Sequence, residues 1–260
     1  MGVYTRNNIV TDGLILYFDI KNLLSYPGSG TSVYDLKSKA SSTMTNGPTF
    51  VSSNQIPYIS VDGTNDYIES SVRRTDLEFQ PTQPFSVFCW IGNLHPTQSG
   101  VALLANMSGS SPYPGWDIYF DNTSSVSSHL ISTWSTNAIK VTASLNRSLL
   151  TSSWNFLGYT YDGTCPATTQ SSIDSINFYL NTIKLTGKGI GSGASRFLTT
   201  NQTITYNSLQ RFRYGSRWGN GAAVQPGLSR LGSLYIYNKK LSENEILQNY
   251  LATKSRYIKD

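Results

Sequence analysis

Short apolar runs separated by turn residues follow one another from Gly13 to Tyr237, and only one stretch reads convincingly as a helix. Gly13–Asp19, Tyr58–Asp62, Phe85–Ile91, Val101–Ala105, Trp116–Phe120, Leu130–Trp134, Ile139–Thr142, Asn155–Tyr161, Ile176–Leu180, Ile204–Tyr206, Gln210–Tyr214 and Leu231–Tyr237 each suit a strand. Their length, spacing and β-branched or aromatic content give roughly a dozen strands, the pattern of a sandwich or barrel. Helical patterns between the strands are missing, which argues against a parallel α/β sheet. The helix comes at the end. Ser242 stands three residues before Glu245, the spacing of a capping box, with Leu241 and Ile246 placed as a hydrophobic staple. Ile246 and Tyr250 are expected to share one face, with Leu247 and Leu251 beside it. The predicted organisation is an arm over 1–10, one β-sandwich over 11–241, and a helix with a basic tail over 242–260 packed on it.

Polarity in this chain comes from Ser, Thr, Asn and Gln, since only 13% of its 260 residues are charged. Hydroxyl and aromatic side chains suit strands and turns, and disorder would require low hydrophobicity with high net charge. The net charge of +5 is scattered over Arg73-Arg74, Arg211, Arg213, Arg217, Lys239-Lys240 and the tail. No nucleic-acid motif accompanies it, so nucleic acid is not the expected partner. Arg211, Arg213 and Arg217 interleave with Phe212, Tyr214 and Trp218 and are read as surface residues of unassigned use. The N-terminal residues lack the apolar core of a leader, and no apolar run approaches the length of about 18 residues needed to span a membrane. Cys89 and Cys165 have neither metal-ligand spacing nor a disulfide framework and are expected to stay reduced.

Catalytic constellations are sparse. A retaining glycosidase needs two carboxylates about 5 Å apart, and the four Glu residues do not offer that pattern. Asp117 and Asp121 share strand spacing, but read more simply as acidic residues at strand ends. His95 and His129 read as surface histidines in loops, and no nucleophile elbow is present. Asp62, Asn65 and Asp66 form one oxygen-rich loop that could hold calcium. The same residues also favour Asx-turns. No other cofactor is indicated.

Several segments, in order along nearly the whole chain, resemble the laminin-G-like, concanavalin A-like jelly-roll proteins found in bacteriophage virions. They are Val10–Asp19, Ser25–Thr31, Asn46–Phe50, Val61-Asp-Gly-Thr-Asn-Asp-Tyr-Ile68, Trp154–Gly163, Phe178–Asn181 and Ile236–Tyr250. Tyr34 departs from the family's usual Trp, and Lys37-Ser-Lys39 replaces a Ser-Gly-Asn turn. The resemblance implies an all-β, two-sheet antiparallel jelly-roll sandwich with one short C-terminal helix. It further implies a non-enzymatic virion structural protein, a capsid decoration, neck or tail-associated jelly roll, made in the host cytoplasm and able also to bind host surface glycans. Such a protein would form a homo-oligomer on the particle beside other virion proteins. The alternative is a lectin or adhesion module outside a virion, and a glucanase-like hydrolase stands behind both. Trp116, Trp134 and Trp218 are the candidates for stacking on a glycan, and Lys254, Arg256 and Lys259 for attachment.

Overall fold

The computed structural model describes residues 8–52, 56–94, 98–122, 124–150, 153–191 and 203–258. Its strands are numbered in chain order and lie mainly in two antiparallel sheets. The first sheet runs β14 (Ile183–Lys184), β13 (Ile176–Leu180), β12 (Asn155–Tyr161), β7 (Phe85–Gly92), β19 (Leu228–Tyr237), β5 (Tyr58–Asp62), β4 (Thr49–Val51), with β1 (Leu14–Asp19) also paired to β19. The second runs β15 (Gly189–Ile190), β11 (Asn137–Ser144), β10 (Ser125–Thr133), β9 (Gly115–Phe120), β8 (Val101–Met107), β16 (Arg213–Tyr214), β6 (Tyr67–Ser70), β3 (Ser41–Thr45), β2 (Ser32–Tyr34). A small hairpin, β17 (Arg217–Gly219) and β18 (Ala222–Val224), lies apart from both. This is the expected two-sheet jelly-roll sandwich.

Strand β7 shows why the sandwich has more than one core. With a side-chain period of two, Phe85, Val87, Cys89 and Ile91 enter the core between the sheets. Phe88 and Trp90 point the other way and join a second apolar cluster with Phe156, Tyr235, Tyr237, Ile246 and Tyr257. Between the sheets, the Phe79 and Phe85 rings stack at 4.2 Å, and Trp116 lies 5.7 Å from each. Cys89 behaves as a small core residue, its thiol pushed up by burial.

Helix α2 (Glu243–Thr253) covers the outer face of the first sheet. Both halves of its capping box form: Ser242 Oγ accepts from the Glu245 N–H at 3.3 Å, and the Ser242 N–H donates to Glu245 Oε2 at 2.8 Å. The Leu241 and Ile246 staple is buried. The buried stripe differs from the apolar one expected, because it holds Ile246, Asn249 and Thr253 while Leu247 and Leu251 face solvent. Hydrogen bonds explain the choice. Thr253 Oγ1 accepts from the Trp90 indole at 2.8 Å, and Asn249 Oδ1 accepts from the Val10 N–H at 2.8 Å. Replacing Ser242 by Ala is expected to cost about 1 kcal/mol. Urea denaturation measures that loss.

Elsewhere the strand expectations need trimming. Ile204–Tyr206 is not a strand, and only Arg213–Tyr214 of the 210–214 run pairs in a sheet. A seven-residue helix, α1 (Thr169–Ser175), precedes β13, capped by Thr168 and Ser171. Its polar, Ser-rich sequence carries no apolar stripe to announce it.

Candidate functional site

The outer face of the second sheet carries a row of cross-strand neighbours seven strands wide: Lys140, His129, Asp117, Ala105, Arg213, Glu69 and Thr43. The β17–β18 hairpin folds over the middle of this row. Arg217, from β17, puts Nε 2.7 Å and Nη2 2.6 Å from Asp117 Oδ2. His129 Nδ1 lies 2.8 Å from Asp117 Oδ1, with the carboxylate as acceptor. Arg213 donates to Glu69 Oε2 at 2.6 Å and to the Arg217 and Ala222 carbonyls at 3.0 and 2.6 Å. Each guanidinium also lies on a tyrosine, Arg217 on Tyr119 at 4.4 Å and Arg213 on Tyr67 at 3.9 Å.

These contacts overturn three sequence readings. Arg213 and Arg217 are buried in ion pairs rather than displayed on the surface. His129 is buried on β10 rather than in a loop, and Asp117 is a fully buried mid-strand residue rather than a strand end. Burial raises the Asp117 pKa, but Arg217 and His129 outweigh it and hold the carboxyl below its usual range. Asp121 is separately engaged, with its Oδ2 accepting from Ser127 Oγ. Asp117 is therefore a clamp on the hairpin. His95 lies outside the described residues.

At one end of the row the buried lattice opens onto an aromatic corner. Trp134, in the β10–β11 turn, is partly exposed. The Lys140 Nζ lies 4.3 Å from its ring centroid and donates to its carbonyl at 3.2 Å. Burial pushes the Lys140 ammonium pKa down. The His129 ring is 5.5 Å from Trp134 on one side. Tyr113, also partly exposed, meets Trp134 edge-on at 5.6 Å. Exposed Ser110, Ser111, Ser135 and Thr136 flank the two aromatics in sequence and supply a polar rim. Tyr113 was not a sequence candidate, although an aromatic between two prolines in the Ser110–Gly115 loop is a readable signal.

The other two tryptophans do not offer a stacking face. Trp116 has no exposure and donates its indole N–H to the Leu77 carbonyl at 2.7 Å, so it is core. Trp218 is buried on the hairpin, its carbonyl accepting from the Gly109 N–H at 2.7 Å. Asp62, Asn65 and Asp66 do meet, but as a turn. Asp62 Oδ1 accepts from the Thr64, Asn65 and Asp66 N–H groups at 2.8, 3.2 and 3.3 Å, and Asp66 Oδ2 accepts from the Asp62 N–H at 3.2 Å. Burial opposes the Asp62 charge, yet those backbone donors hold its pKa low, while burial and the Asp62 charge raise that of Asp66. Among the described residues no group of three His, Cys, Asp or Glu is placed to hold a metal. Arg256 pairs with Asp19 beside a cleft of about 530 Å³ that Lys21, Ser255 and Leu251 also line. Lys254 is partly buried, and Lys259 lies outside the described residues.

No family model matches the chain, and no curated protein sequence matches it. Solved structures do. The binding domain of a Paraclostridial mosquitocidal protein superposes with a TM-score of 0.61 at 13% identity, over 92% of this chain and 52% of that one. Trypanosoma rangeli sialidase, solved with sialic acid, gives 0.62 at 13% identity, over 96% of this chain and 35% of that one. A botulinum neurotoxin type C structure, from work on its interaction with two ganglioside molecules, gives 0.60 at 12% identity, over 95% of this chain and 52% of that one. The likeness is one of fold. The chain spans about half the length of the toxin chains and about a third of the sialidase.

Proposed function

We propose that the protein is a non-catalytic glycan-binding module and that Trp134 and Tyr113 form its stacking face. The observation that carries this reading is the aromatic corner itself. Of the three candidate tryptophans, Trp134 is the one that is partly exposed; it is braced from within by His129 and Lys140, and has hydroxyl-bearing residues on either side. Aromatic bodies with a few placed polar groups are what a sugar site requires. Fold likeness to proteins described with sialic acid or gangliosides raises the prior for glycans without assigning one.

A glycan array tests it. Wild type is expected to bind at least one glycan, and Trp134→Ala to reduce that binding about tenfold or more while it keeps a cooperative urea transition that shows it folded under the assay conditions. If no glycan shows Trp134-dependent binding, the reading fails.

The finer reading is that this module is a structural component of a bacteriophage particle, made in the host cytoplasm and oligomeric beside other virion proteins. It is supported by the ordered motifs from Val10–Asp19 to Ile236–Tyr250. Mass spectrometry of purified particles should find the protein in stoichiometric amount. Absence there would remove this placement and leave the glycan reading untouched.

A further inference from the structure

We propose a second site, for a carboxylated sugar, on the outer face of the first sheet, built from Trp154, Tyr58, Arg230, Ser60 and Thr49. It shares no residue with the Trp134 corner. Trp154 is partly exposed and lies flat on Gly92: a Cβ at Gly92 would stand 3.4–3.6 Å from three atoms of the indole ring. Tyr257 backs the indole at 5.1 Å, and Tyr58 meets it edge-on at 5.7 Å. The Arg230 guanidinium lies 4.8 Å from the Tyr58 ring centroid. Register places Thr49, Ser60, Arg230 and Gly92 in one row across β4, β5, β19 and β7, so two hydroxyls stand in line with the guanidinium.

What marks this cluster is its uncommitted polar groups. Among the described residues, three arginines lie on tyrosine rings. Arg213 has Glu69 and Arg217 has Asp117. Among the described residues, Arg230 has no carboxylate, and neither Ser60 nor Thr49 has a side-chain hydrogen bond. A half-buried guanidinium without an anion favours one, and its planar fork matches a carboxylate bidentately. The indole and phenol supply apolar area for a pyranose face, and the hydroxyl row suits sugar hydroxyls. Together they fit a hexuronate or a sialic acid better than a neutral sugar.

Following the tryptophan indole N–H resonances by NMR tests the site, with Trp154→Phe identifying the Trp154 signal. Sialyllactose or a glucuronate disaccharide is expected to shift the Trp154 signal, while lactose and inorganic phosphate leave it in place. Arg230→Gln, a change at a half-exposed position, should weaken that response about tenfold or more, and Arg230→Lys should restore part of it. The proposal is overturned if carboxylated sugars do not move Trp154, if lactose or phosphate moves it equally, or if Arg230→Gln binds like wild type. Trp134→Ala should leave the Trp154 response unchanged, so failure of either site is read separately from the other.

Discussion

Asp117→Ala should destabilise the protein by about 3–5 kcal/mol, because it leaves the Arg217 guanidinium and His129 buried against an apolar surface with their anion removed. The loss should not equal the worth of the ion pair. A double variant, Asp117→Ala with Arg217→Met, removes both charges and is expected to recover much of the deficit, because desolvation offsets most of the attraction within such a pair. Urea denaturation of the two single variants and the double variant measures the coupling. Additive losses would show that the clamp does not act as a unit. Native-state hydrogen exchange should also rise in β17 and β18 first, since Arg217 ties that hairpin to the sheet.

The same carboxylate sets a pH dependence. Its folded-state pKa lies below the usual carboxylate value, so its contribution is fully present above the unfolded pKa of about 3.9 and is lost as pH falls through the folded value. The stability gap between wild type and Asp117→Asn should therefore hold at neutral pH and narrow only in acid. A gap that narrows between neutrality and pH about 5 would place the clamp's titrating group elsewhere.

The fold was legible because its signals are local. Phe85–Ile91 alternates between two apolar faces, and Ser242 with Glu245 spells a helix start within four residues. The site depended on register, which local pattern does not supply. Trp116 and Asp117 are adjacent, yet one enters the core and the other faces the hairpin. Arg217 looked like a surface charge because its partner lies 100 residues away, and the partner of Arg213 lies 144 away. His129 sat in a Ser-rich run that reads as a loop until Ser127 and Ser128 are seen buried beside it. The Asp62–Asp66 loop was ambiguous for a different reason. Its residue types serve a calcium site and an Asx-turn equally well, and the turn becomes visible only through the three N–H donors on Asp62 Oδ1.

Gly115→Ala is the second variant expected to have a large effect, and it links the sheet to the aromatic corner. Gly115 has φ of +128°, and a Cβ there would stand 2.0 Å from the Asn106 carbonyl oxygen and 2.6 Å from the Met107 Cα. These are backbone atoms of β8, paired to β9 at that point, so they cannot rotate aside as a side chain would. Backbone strain and overpacking together should cost more than about 3 kcal/mol. Gly221→Ala supplies the comparison. Its φ is +93°, but nothing lies within 4 Å of the added atom, so strain should cost only about 1–2 kcal/mol. Equal losses for the two variants would mean that the close approach of β8 and β9 is not what requires glycine. Gly115 also ends the loop that carries Tyr113 to Trp134. Relief of the overlap by separating β8 from β9 would therefore displace Tyr113. At temperatures where Gly115→Ala remains folded, glycan binding at Trp134 should weaken while the Trp154 response stays intact.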